Sequence, residues 1–155
     1  MKLLAIETSC DDTAAAVVED YRIRSNIVAA QDEVHAPYGG VVPELAARRH
    51  LENLGAVVEA ATSEDGAGLA GLDGIAVTRG PGLVGSLLVG ISMAQGLGLR
   101  LGLPVFGINH LEGHVLSALI GNDVEFPFLS LLVSGGHTAI YLVRGVGEYR
   151  EVAAT

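Results

Sequence analysis

The chain reads as an α/β protein, and three observations carry that reading. Short apolar runs bounded by turn residues alternate with longer stretches of helical periodicity. Two of the helical stretches connect one strand to the next, which calls for right-handed crossovers and a partly parallel sheet. Apolar residues make up 50% of the sequence and charged residues 17%, the balance of an ordered globular protein. At 155 residues the chain can bury one full core, or one domain with part of another.

Residues 3–6 form a buried strand, 8–12 a turn and 13–18 the returning strand, and 22–29 complete an antiparallel meander. An irregular loop containing His35-Ala36-Pro37-Tyr38-Gly39-Gly40 follows. Pro43 suits the first helical position, where its missing N–H costs nothing. The helix it opens runs to about residue 62, with Leu45, Leu51, Leu54 and Val58 on or near its buried side. The Asp73-Gly74 turn leads into a strand at 75–78. Gly80-Pro81-Gly82 breaks that strand and opens a long apolar helix from 83 to about 100. Residues 105–108 form another strand, which delivers the chain to a helix that begins with His110-Leu111-Glu112-Gly113-His114. Residues 131–140 then repeat the N-terminal plan: a buried strand, a small polar or glycine-rich turn, and a returning strand that starts near a threonine. A third strand lies at about 149–153, and the whole is read as a structural duplication whose second copy stops before a helix covers its sheet.

Residues 82–99 carry no charge and reach the lower limit for a membrane span. Their five glycines, with Ser86, Ser92 and Gln95, point instead to a helix buried between a sheet and its neighbours. The N-terminal apolar run is too short for a signal peptide, so a cytoplasmic location is expected. Cys10 is the single cysteine, which excludes an internal disulfide and a cysteine-based zinc site. A small buried hydrophobe is its expected role, since its turn offers no evident base. A net charge of −9 disfavours nucleic-acid binding without a local basic patch or a basic partner. The densest basic cluster, Arg48-Arg49-His50, fits a solvated helix face.

The pentad at 110–114 is the most informative stretch for chemistry. A helix places His110 and His114 on one face, where two imidazoles can share a metal ion. In zinc peptidases the glutamate directly follows the first histidine; here Leu111 holds that position. Glu112 lies about 200° around the helix from each histidine and points away from a shared metal. The competing reading is two histidines that share a helix face in a core or on a surface. Ser134-Gly135-Gly136 lets backbone N–H groups approach an anion, and is equally an ordinary hairpin turn. Glu7, Asp11 and Asp12 crowd the corresponding first turn, either as solvated turn acids or as carboxylates orienting a ligand. Gly80-Pro81-Gly82 is a further candidate anion site or simple strand-to-helix punctuation. His137 either contacts phosphate or caps a hairpin.

Taken together, Ile6-Glu7-Thr8-Ser9-Cys10-Asp11-Asp12-Thr13, His35-Ala36-Pro37-Tyr38-Gly39-Gly40-Val41-Val42-Pro43-Glu44, Gly80-Pro81-Gly82-Leu83, the pentad and Leu132-Val133-Ser134-Gly135-Gly136-His137-Thr138 closely resemble the TsaD family, the tRNA threonylcarbamoyl-adenosine synthases once described as glycoproteases. The resemblance runs the length of the chain. It implies an actin-like, sugar-kinase-like ATPase fold of ribonuclease H-like type, with a mixed sheet and helices on both faces over residues 1–125. Residues 126–155 would be the opening β-meander of a duplicated second domain. The implied reaction moves threonylcarbamoyl from threonylcarbamoyl-AMP to the exocyclic amine of the adenosine next to the anticodon in tRNA, with adenylate leaving.

By the same resemblance, His110 and His114 match the ligands of one divalent metal ion, iron or zinc. Leu132, Val133, Ser134, Gly135 and Gly136 match the adenylate-binding stretch, with His137 beside it. Asp11 and Asp12 occupy acidic positions of the cleft, the second often glutamate in relatives. The implied partners are tRNA, threonylcarbamoyl-AMP and the other subunits of the transfer complex, including the inactive paralogue; no membrane is expected, and the uncovered sheet suits a homodimer. Relatives run on for about as many residues again and supply a third metal ligand, an aspartate. The chain is therefore expected to be a truncated portion that binds metal and adenylate weakly and does not modify tRNA alone. The competing class is a non-catalytic actin-like module that docks a partner through its uncovered sheet. The paired histidines count against it, as helix geometry counts against a peptidase dependent on Glu112.

Overall fold

The computed structural model describes residues 1–64, 66, 68–136 and 138–155. They form two compact units, Met1–His110 and Leu111–Thr155. In the first, β1 (Lys2–Glu7), β2 (Thr13–Glu19) and β3 (Arg22–Ala29) make the antiparallel meander. β4 (Gly74–Gly80) and β5 (Val105–Asn109) add in parallel, giving the order β3-β2-β1-β4-β5. Where the sequence predicts an irregular loop, α1 (Asp32–His35) and a 3-10 turn at Ala36–Tyr38 form instead, closed by Gly39 at φ 70°. α2 (Pro43–Glu64) starts on the predicted proline, and α3 (Val84–Leu101) follows the Gly80-Pro81-Gly82 turn.

The direction of the crossovers decides where the helices lie. β3, β1, β4 and β5 all run the same way, and the chain steps from β3 through α2 to β4, then from β4 through α3 to β5. Two right-handed crossovers that step in the same direction put both helices on one face. One apolar core accordingly joins Leu4, Ile6, Val17 and Ile75 of the sheet to Leu54 of α2 and Ala94 of α3. Among the described residues, α2 and α3 therefore share one face of this sheet. Its other face carries a shallow depression lined by small residues such as Ala5, Ala14, Ala16 and Ala76.

Within α2 the buried stripe is Ala46, His50, Leu54, Val57, Val58 and Ala61. Leu51, expected on the buried side, is 73% exposed, because the stripe is phased on His50. Arg48 and Arg49 are solvated as predicted and pair with Glu44 and Glu52, but His50 leaves that cluster and is fully buried. α3 is long and apolar enough to cross a membrane by length and composition. In the structure one face, Ser86, Leu87, Gly90, Ala94 and Gly98, is buried, while Val84, Leu88 and Leu99 are exposed; it is less enclosed than predicted. Gly90 permits the closest approach, since an added Cβ would lie 2.4 Å from the hydroxyl of the buried Thr8.

The second unit is an antiparallel sheet of β6 (Phe128–Val133), β7 (Thr138–Gly145) and β8 (Glu148–Ala154) in sequential order. α4 (His110–Leu116) begins at the last residue of the first unit. Leu111, Val115 and Leu116 of that helix pack with Leu132, Ala139, Tyr141 and Val143, so α4 shares the core of this unit. Leu129, Leu131 and Val133, on alternate positions of β6, are exposed.

These contacts set opposite signs for two substitutions in one helix. Gly90→Ala should destabilise by about 1–2 kcal/mol despite its gain in helix propensity, because the added methyl meets Thr8. Gly96→Ala, where a Cβ meets nothing within 4 Å, should stabilise by about 0.5–1 kcal/mol. Denaturant unfolding of both variants measures the difference.

Candidate functional site

The 8–12 turn is fastened to the helices by hydrogen bonds whose partners lie on α2, on α3 and just before α3. The Leu83 N–H donates to the Ser9 carbonyl at 2.7 Å. The buried Thr8 hydroxyl donates to the Ser86 carbonyl at 2.8 Å, and the Ser86 hydroxyl donates back to the Cys10 carbonyl at 3.3 Å. From α2, His50 Nε2 donates to the same Cys10 carbonyl at 3.0 Å. Gly82 is explained by this approach, since a Cβ there would lie 2.5 Å from the Ser9 carbonyl oxygen. The Gly80-Pro81-Gly82 turn thus has a packing role that the sequence does not reveal.

Asp11 is half-buried and Asp12 exposed on this turn. Partial burial, then the carboxylates of Asp11 and Asp32, push the Asp12 carboxyl above its ordinary value, against the opposing effect of His50. Cys10 is exposed, contrary to the predicted buried hydrophobe, because its carbonyl rather than its side chain is what the helices hold. Desolvation, a hydrogen bond with Asp11 and the charges of Asp11, Asp12 and Glu7 push its thiol up to about 11. At neutral pH it is a protonated thiol, not a nucleophile.

Glu7 closes β1 and gathers the other polar groups. It accepts from the Ser9 N–H and, through its second oxygen, from the Thr78 hydroxyl on β4. His110 Nδ1 lies 3.4 Å from that second oxygen and 3.1 Å from the Ser9 hydroxyl. Burial works to raise the Glu7 carboxyl, but the hydrogen bonds from Ser9 and Thr78 and the nearby His110 outweigh it and hold it below its ordinary value. The link from Glu7 and Ser9 to His110 was missed from sequence. The contacts span about a hundred positions, and the only local signal was a carboxylate at a strand end.

His110 and His114 both lie on α4, His110 half-buried and His114 exposed, with Glu112 between them in sequence. Among the described residues no group of three or more His, Cys, Asp or Glu is placed to hold a metal ion. Two imidazoles at helical spacing nonetheless fit as partial ligands for iron or zinc, and the oxygen partners at His110 Nδ1 are of the kind that orient a ligating ring. In the second unit Leu132 is buried while Val133, Ser134, Gly135 and Gly136 are exposed after β6. A Cβ added at Gly135 or Gly136 meets nothing within 4 Å, so neither glycine is imposed by crowding. His137 lies outside the described residues.

The family model for TsaD, described as tRNA N6-adenosine threonylcarbamoyltransferase, matches residues 22–155. Proteins of that name from Geotalea uraniireducens (strain Rf4) and Geobacter sp. (strain M21) are 57% and 56% identical over 156 residues, covering 100% of this chain and 46% of each relative. The chain thus spans about half the length of the curated relatives it matches. Among solved structures, YeaZ from Pseudomonas aeruginosa superposes with a TM-score of 0.66 at 22% identity, over 98% of this chain and 64% of that one. A ROK hexokinase from Thermus thermophilus superposes with a TM-score of 0.56 at 21% identity, over 97% of this chain and 49% of that one. These two likenesses bear on the fold alone.

The raised thiol gives a direct test of the turn's electrostatics. A shift from 9.0 to about 11 cuts the thiolate fraction at pH 8 about a hundredfold, and Cys10 is the only cysteine to label. Its alkylation by iodoacetamide at pH 8 should be slower than that of a free thiol by about that factor. Asp11→Asn should recover part of the rate, read by intact-mass spectrometry.

Proposed function

The chain belongs to the TsaD family of tRNA N6-adenosine threonylcarbamoyltransferases, and from that premise we propose that it carries part of the site that transfers threonylcarbamoyl from threonylcarbamoyl-AMP to the adenosine beside the tRNA anticodon. The observation that carries this reading is the His110 ring held at Nδ1 by Ser9 and Glu7, at the foot of the turn that bears Asp11 and Asp12. In the reaction the adenosine N6 amine attacks the carbamoyl carbonyl carbon, a C–N bond forms, and the bond to adenylate breaks with its electron pair leaving on phosphate. The amine gives up one proton.

Adenylate is already a good leaving group, so the residues here act by positioning more than by strong base catalysis. Ser134, Gly135 and Gly136, after Leu132 and Val133, offer backbone N–H groups to the phosphate, with His137 beside them. Asp11 and Asp12 orient the threonylcarbamoyl donor or the incoming amine. His110 and His114 would hold iron or zinc, and the ion would supply Lewis-acid polarisation of the donor. We further propose residues 1–125 and 126–155 as the two duplicated domains, a cytoplasmic setting, and docking of other transfer subunits. With a net charge of −9, the chain would take tRNA contacts from a basic partner.

Zinc titration of the purified chain tests the ligand assignment. His110→Ala and His114→Ala should each weaken binding by at least about tenfold, while Glu112→Gln changes it by less than about twofold. Indifference to both histidine changes would overturn the site. A transfer assay with unmodified tRNA, threonylcarbamoyl-AMP and the partner subunits tests the activity, and unaltered product yield with Asp11→Asn and Asp12→Asn would remove the acidic turn from it.

A further inference from the structure

A continuous chain of buried polar groups, separate from the pentad, runs between two loops of the first unit. Thr13, Gln31, His35 and His50 are all at most 4% exposed. Two groups at its ends have fixed roles. The Val42 N–H can only donate, so His35 Nδ1 accepts it, at 3.3 Å. The Cys10 carbonyl can only accept, so His50 Nε2 carries a proton and donates it, at 3.0 Å.

The interior follows from these ends. His35, accepting at Nδ1, carries its proton on Nε2 and donates to Gln31 Oε1 at 3.2 Å. That contact orients the amide, so Gln31 Nε2 faces His50 Nδ1 at 3.3 Å and the Thr13 hydroxyl oxygen at 3.5 Å. His50 Nδ1 also accepts from the Thr13 hydroxyl at 2.7 Å. The Val42 end demands the neutral Nε2–H tautomer of His35, the Cys10 end demands a proton on His50 Nε2, and the two meet at Gln31 without conflict. All donors point one way, from the 39–42 loop to the Cys10 carbonyl.

We propose that His35 and His50 are positioning residues for the acidic turn, coupling the exposed 39–42 loop to the placement of Asp11 and Asp12. Displacing Val42 frees His35, releases the Gln31 amide, and loosens the His50 ring that holds the Cys10 carbonyl. A ligand or subunit that touches the loop therefore acts on the two carboxylates without contacting them. The functional part of this inference rests on the assignment of Asp11 and Asp12 to the transfer site; the coupling itself does not.

Long-range 1H–15N spectra of the imidazole rings in the purified chain read the tautomers directly. Both His35 and His50 should show a protonated Nε2 and an acceptor-type Nδ1. The hydrogen bonds of His35 go to Gln31 and Val42, yet His35→Ala should shift the backbone amides of Cys10, Asp11 and Asp12. His35→Gln, which offers one acceptor and one donor, should largely restore them and serves if the alanine variant fails to fold. An Nδ1–H tautomer in either ring, or shifts confined to residues 31–43, would overturn the coupling. If the shifts propagate but Asp11→Asn and Asp12→Asn leave transfer unchanged, the role of the turn fails and the coupling stands.

Discussion

The first unit depends on the Cys10 carbonyl oxygen, which is held from two helices at once. Ser86 reaches it from α3 and His50 from α2. The flanking backbone is fixed by Leu83 to Ser9 and by Thr8 to Ser86. Each buried hydrogen bond is worth only about 1 kcal/mol net, but removing one partner strands a buried polar group at about 1–3 kcal/mol. Among the described residues, no buried side-chain nitrogen or oxygen lacks a hydrogen-bond partner, so the cost of disturbing this arrangement is high at every point. The small residues follow from it: Gly82 lets the turn before α3 sit against the Ser9 backbone, and Gly90 lets α3 sit against the Thr8 side chain.

This fastening leaves the turn's side chains outward. Asp11, Asp12 and Cys10 remain solvent-accessible while their backbone is locked, the combination that lets a loop carry chemistry without wandering. Glu7 extends the same logic to the next element. Its two oxygens are engaged by Ser9 and Thr78, which sets the carboxylate against His110 at the start of α4. The end of one strand thereby determines the orientation of a ring about a hundred residues away.

Much of the fold was legible because it is written in local signals. The meander shows in alternation and turns, α2 in Pro43, and the crossovers in the apolar runs between strands. What failed has a common cause. His50 reads as part of a basic cluster until Thr13, Gln31 and Cys10 are brought to it, and Leu51 then loses the buried side to its neighbour. Cys10 reads as a buried hydrophobe because its residue type suggests it, whereas the structure uses its carbonyl. Placing α2 and α3 on one face needed strand order, which sequence does not give; once the order is known, the handedness of two like-directed crossovers settles it. The candidate site was legible as residue types, while the partners that orient them were not.

The rotation of α4 shows what packing adds to the pentad's spelling. At about 100° per residue, His110 and His114 fall within about 40° of one another, and Leu111 and Val115 occupy a neighbouring sector about 100° further round. Val115 is fully buried and packs, with Leu111, against Leu132, Ala139, Tyr141 and Val143, so the core of the second unit sets the helix rotation. The helical repeat itself, whatever the rotation, keeps Glu112 off the sector that the histidines share. Turning the helix about its axis would carry all these side chains together and would withdraw Leu111 and Val115 from apolar surroundings, at roughly 1.5–3 kcal/mol for each large side chain exposed. The apolar residues of α4 therefore fix the rotation of the helix, while the helical repeat denies the pentad the geometry of a glutamate-assisted peptidase.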